Sequence, residues 1–174
     1  MNEKLIGHGF VAPIITPDQH IFGAQRLGDP IQDNGDWMAY LPPEERQARL
    51  FFDTYGCTIY NTLNPIEILE RKLFGEKSDY SERAVYIDTG TRPPGNNPHV
   101  ISEYIRKNGL VPESMLPFTD ALQNLDEYAS PKPLTSDIVS VGLEWILKKD
   151  FLHDWAFVGG TPREKQERLK EAVR

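Results

Sequence analysis

Fourteen prolines and thirteen glycines are scattered along these 174 residues. Proline removes a backbone donor and fixes φ, and glycine weakens the interior of any regular element. The chain is therefore built of short elements joined by many turns. No internal repeat or low-complexity tract is present. From Cys57 to Phe74 the apolar positions Ile59, Leu63, Ile66, Leu69 and Leu73 step by three or four, the period of a helix with one buried face. Pro65 falls inside that run and deletes a helix hydrogen bond at a cost of about 3 kcal/mol. A kink or break is expected near Asn64.

Other elements carry clear start and stop signals. Residues 8–17 read as an extended edge segment, since Pro13 and Pro17 cannot donate in a central strand. Turn residues dominate to position 36, through Gly28-Asp29-Pro30 and Asp33-Asn34-Gly35-Asp36. Pro43 and the glutamates after it suggest a short helix to about Leu50. Asn97-Pro98, then Val100, Ile101, Tyr104 and Ile105, then Asn108-Gly109, mark a helix with an N-cap, a proline in its first turn and a glycine stop. Thr135 or Ser136 opens another to about Lys149, with Ile138, Val141, Gly142, Trp145 and Ile146 inward. Thr161-Pro162-Arg163-Glu164 is a capping box, and Leu169, Ala172 and Val173 make the apolar stripe of a last helix. That helix runs to Arg174 with no stop signal, the pattern expected of a fragment.

Charge and composition narrow the function classes. Nineteen Lys and Arg against 26 Asp and Glu give a formal charge of −7 and a pI near 5.1. Such a surface does not neutralise phosphates, so nucleic acid is not an expected partner. The chain is 39% hydrophobic and 26% charged, which suits a globular domain of one unit spanning residues 1–174. No apolar run approaches the roughly 18–20 residues needed to cross a bilayer, and Met1 to Val11 lacks the pattern of a signal peptide. One cysteine allows neither an internal disulfide nor a Cys-rich zinc site, and the cytoplasm is the expected location.

That cysteine, Cys57, opens the predicted helix, where backbone N–H groups and the helix dipole favour a thiolate. The alternative is a small buried hydrophobe. Phosphate-loop, HExxH and EF-hand patterns are absent. Trp37, Trp145 and Trp155 are not clustered and read as core or anchoring residues.

The order of several motifs resembles the papain-like cysteine peptidases, in particular a branch found in bacteriophage and bacterial genomes. Gly56-Cys57 with Asn61, Asn64 and Glu67 resembles the nucleophile helix, and Asp79-Tyr80-Ser81-Glu82-Arg83 the segment after it. Gly90-Thr91 through Asn97-Pro98, Asn108-Gly109-Leu110 to Glu113, and Leu116-Pro117-Phe118 resemble the glycine turn, helix and following run of that family. Leu169 to Val173 is similar to the helix before the catalytic barrel half. The resemblance implies an α+β papain-like fold: an extended segment over 1–42, the helical half over 43–118 and the start of the second half over 119–174. It implies Cys57 as nucleophile, no cofactor or metal, and a peptide or protein substrate. For a phage-encoded chain it implies the host cytoplasm or the virion.

Three departures stand against that reading. The family's oxyanion glutamine lies six residues before the cysteine, where this chain has Phe51. Gln47 can take the role only if the stretch from Leu50 to Tyr55 loops out. Thr58 stands where the family usually has tryptophan. The catalytic histidine of such enzymes lies about 130–150 residues downstream, beyond Arg174. Of the histidines present, His153 beside Asp154 has the right chemical neighbour but reads as a surface loop. His99 sits at a helix start that disfavours imidazolium, and His8 and His20 precede the cysteine without a fitting acid.

Two functions follow. One is amide or peptide hydrolysis through a Cys57 acyl-enzyme, with little turnover unless a missing segment or second chain supplies the base. The other is a non-catalytic phage or bacterial structural or interaction protein that keeps the fold. A Cys-His hydrolase of cell-wall amides is not separable from a peptidase at this level. A truncated chain would leave a sheet edge and the Leu169/Val173 stripe uncovered, and self-association is then expected.

Overall fold

The computed structural model describes residues 9–10, 21–22, 34–43, 46–48, 51–149 and 157–172. Helix α1 (Cys57–Phe74) is continuous, with Pro65 inside it. The expected break near Asn64 does not occur. Asn61 and Pro65 lie on the exposed face, so the carbonyl freed by proline meets water. On the opposite face Ile59, Tyr60, Leu63 and Ile66 are buried, each contributing about 1.5–3 kcal/mol, which outweighs the proline penalty. The apolar stripe does not stay inward to its end, because Leu73 is 47% exposed. The last buried positions of α1 are instead Glu67 and Glu70. Gly75 ends the helix in the left-handed region (φ 70°) and donates to Arg71 O.

Short helices pack around α1. Ser81 caps α2 (Glu82–Asp88) by accepting from the Ala84 N–H at 3.1 Å, and residues 82–87 are all buried. Helix α3 (Pro98–Asn108) has the expected Asn97 cap, Pro98 in its first turn and Gly109 at its end (φ 72°). Its inward face is Ile101 and Ile105, while Val100 faces out. After a 3-10 turn at Glu113–Met115 and the short α4 (Leu125–Tyr128), Thr135 caps α5 (Ser136–Lys148). Helix α6 (Pro162–Ala172) opens on the expected capping box. There the Thr161 N–H donates to Glu164 Oε2 at 2.7 Å and the Glu164 N–H to Thr161 Oγ1 at 3.4 Å.

Strand is sparse among the described residues. Pair β1 (Gly9–Phe10) runs parallel to β3 (Gly95–Asn96), and β2 (Ile21–Phe22) parallel to β4 (Phe157–Val158). The described protein is thus mixed α and β with helix dominant. Gly9–Phe10 is the described part of the expected edge segment. The helix expected over 43–50 is not found at residues 46–48. Ala48 bridges Asp53 in antiparallel fashion, and the Thr54 N–H donates to Gln47 O at 3.4 Å, so these backbone groups pair across a loop rather than along a helix.

The core joins Ile59 and Leu63 of α1, Val85 and Tyr86 of α2, and Ile101 and Ile105 of α3 with Leu110, Phe118 and Tyr128. The Tyr128 ring meets Tyr86 and Phe118 edge-on, at centroid distances of 4.9 and 4.6 Å. Buried Arg83 donates to Tyr128 O at 3.0 Å and Glu127 O at 2.9 Å, tying the 117–128 loop to α2. A second polar knot joins α1 to α5. Glu70 Oε2 accepts from the Tyr80 hydroxyl at 2.6 Å and from Ser78, and the Trp145 indole donates to Tyr80 Oη at 2.6 Å. Lys149 lies 3.2 Å from Glu70 Oε1 and also pairs with Glu76.

Two stability outcomes follow. A Cβ at Gly142 would sit 2.5 Å from Asn108 O, so Gly142→Ala must push α5 from α3 and cost about 2–3 kcal/mol. The exposed control Ser140→Ala should stay within about 0.5 kcal/mol, both read from urea midpoints. Lys149→Met leaves the Glu70 carboxylate, 0% exposed, without its cation and should cost about 3–5 kcal/mol. Adding Glu70→Gln to that variant should recover part of the loss.

Candidate functional site

Cys57 is the first residue of α1 and is half-buried. The loop before it is set by one carboxylate. Asp53 Oδ1 accepts from the Tyr55 N–H at 2.7 Å and from the Gln47 side-chain amide at 2.8 Å. That Asx turn holds Tyr55 at φ 58°, an uncommon conformation for a non-glycine residue. The wholly buried Thr54 then accepts from the Gly56 N–H at 3.2 Å. A Cβ at Gly56 would meet Thr54 Oγ1 at 3.0 Å, so glycine suits the approach to the cysteine.

Gln47 is therefore closer to the thiol's loop than its ten-residue separation implies. The Ala48–Asp53 bridge closes a loop between them, and the Gln47 amide lies on Asp53, four residues before Cys57. Phe51, which holds the family's glutamine position, is 61% exposed on that loop. Phe52 turns the other way and packs on Phe118 and Tyr128, with centroids 5.6 and 6.1 Å apart.

The expected thiolate stabilisation is not what the surroundings produce. Burial pushes the Cys57 thiol up, the Thr58 N–H pulls it down, and the Asp53 carboxylate pushes it up again, with a net rise. The helix start is a favourable place for a thiolate only when its mouth is wet and free of anions. Here desolvation and Asp53 outweigh the backbone donor.

His8, His20 and His153 lie outside the described residues. His99 sits in the first turn of α3. The remaining motif residues do structural work. Glu67 Oε1 accepts from the Tyr80 N–H at 2.9 Å, and Ser81 Oγ donates to Leu116 O at 2.6 Å. Glu113 Oε1 accepts from the Phe118 N–H at 2.6 Å, and Asn96 Nδ2 donates to Thr91 Oγ1 at 2.9 Å. Sequence reasoning passed over Asp53, although an Asp two residues before a turn position is a recognisable Asx-turn signal.

Among the described residues no group of three His, Cys, Asp or Glu could hold a metal ion, and no helix is long and apolar enough to cross a membrane. No protein-family model matches the sequence, and no curated protein is significantly similar to it.

Asp53→Asn keeps both acceptor contacts of Oδ1 but removes the charge. Its thiol pKa should fall relative to the parent, and alkylation of Cys57 by iodoacetamide at pH 7 should be faster. An unchanged pH profile would remove Asp53 from the electrostatics of the site.

Proposed function

We propose that the chain is a papain-type thiol hydrolase scaffold, α+β in class, in which Cys57 attacks amide or peptide carbonyls. The observation that carries this reading is the fold-back of Gln47 onto Asp53, which brings a side-chain amide to the loop that presents Cys57 at a helix start. In the proposed reaction the Cys57 thiolate adds to the carbonyl carbon. The developing oxyanion accepts from the Cys57 N–H and the Gln47 amide. Collapse forms a thioester and expels the amine, which must take a proton from an acid, and water then releases the carboxylate product.

An imidazole is the group that would hold the thiolate and protonate the amine. With the thiol raised by burial and Asp53, turnover depends on bringing that imidazole to Cys57 Sγ, from His153, a second chain or a further segment. The same raised thiol favours the second reading, a structural or interaction protein that keeps this scaffold without the chemistry.

The test is the acyl-enzyme burst with a p-nitrophenyl ester of a blocked amino acid. In the hydrolase reading, the burst is absent in Cys57→Ala and about 10²-fold slower in Gln47→Ala. Added imidazole at millimolar concentration then raises turnover in the parent and not in Cys57→Ala. No burst, and alkylation with an inflection at or above about 8.5, would establish the non-catalytic reading.

A further inference from the structure

The far end of α1 carries a second feature. A cavity of about 460 Å³ opens between the segment that follows α1 and the last turns of α5, a size typical of small-ligand sites. Eighteen helical residues at about 1.5 Å each separate it from Cys57 by roughly 25 Å, so it is no part of the thiol site. Its apolar wall is Leu110, Pro112, Val141 and Trp145. The Trp145 ring is held in place by its bond to Tyr80 Oη at 2.6 Å.

The charges around it are unevenly satisfied. Lys148 is paired with Glu144 at 2.7 Å, and Lys149 is shared by Glu70 and Glu76. Asp79, on the rim, makes no side-chain hydrogen bond or ion pair with any described residue. Its side chain is exposed, and partial burial shifts its carboxyl upward. Lys77 shares the rim and is exposed. The lining itself carries three lysines and the two carboxylates Glu76 and Asp79; Glu144 and Glu70, outside it, pair with Lys148 and Lys149, which leaves Lys77 and Asp79 without a side-chain partner among the described residues. The last turn of α5 lines the cavity, and α1 ends just before its first lining residue, Glu76. The end of α5 therefore brings partial negative charge to it.

We propose that this cavity is a binding site for an organic cation with an apolar body, an alkylammonium group or the side chain of a lysine. The cation pairs with Asp79 beside the end of α5, and the chain lies on Val141 and the Trp145 face, where cation–π attraction adds to apolar contact. This site is independent of the Cys57 reading.

Calorimetric titration of the full chain at pH 7 with n-hexylammonium, hexanoate and hexanol tests it. The expected result is saturable hexylammonium binding in the millimolar range or tighter, with hexanoate and hexanol at least about tenfold weaker. Asp79→Asn, whose side chain no fold contact uses, should weaken hexylammonium at least about tenfold. Val141→Phe should obstruct it with circular dichroism unchanged. An acetylated, amidated Leu-Lys dipeptide tells a peptide side chain from a free amine as the source, since only a peptide site prefers the dipeptide to hexylammonium. The proposal is overturned if hexanoate binds as tightly, which would assign the site to Lys77, if hexanol does, or if hexylammonium shows no saturation.

Discussion

Two carboxylates on the buried side of α1 impose the constraint on which the arrangement of this protein rests. A glutamate taken out of water needs donors or a cation, because an uncompensated buried charge costs several kcal/mol. Glu67 receives the Tyr80 backbone N–H, and Glu70 receives the Tyr80 hydroxyl, Ser78 and Lys149. These contacts fix the linker after α1, and through Trp145 and Lys149 they fix the end of α5. One knot thus sets how α1 sits in the core, and with it how Cys57 is presented at the opposite end.

Arg83 plays a matching part on the other side of the core. A guanidinium cannot be left dry without acceptors, and the carbonyls of Glu127 and Tyr128 supply them. Ser81 thus serves as a helix cap and Arg83 as the anchor of the following loop. Around Cys57 the same physics works against simple expectation. The dipole at a helix start is a modest influence that falls off within a turn, whereas burial and a nearby carboxylate act directly on the thiol. A helix-start position and surroundings that raise the thiol therefore coexist at Cys57.

Local signals were readable wherever local chemistry decided the outcome. Asn97-Pro98 with Gly109, Thr135, and the Thr161–Glu164 box form the caps that their sequences imply, since each cap is satisfied within three or four residues. Pro43 and the acids after it carried the same kind of signal, yet Gln47 and Ala48 pair with Thr54 and Asp53 instead. Pro65 looked like a breaker, but which face it occupies depends on what packs against α1. Leu73 fitted the helical period and still faces out, because the buried positions at that end belong to Glu67 and Glu70.

The sequence by itself determined that this is an acidic chain of short elements with one thiol, that α1 begins at that thiol, and where most helices start and stop. These depend on backbone propensity, capping and composition, which act over a few residues. Only the tertiary structure decided that Gln47 reaches Asp53, that Lys149 answers Glu70 across 79 positions of sequence, and that Gly142 lies against Asn108. Those outcomes come from desolvated charges and close-packed backbones finding partners in space, and no local pattern encodes which distant residue will supply them.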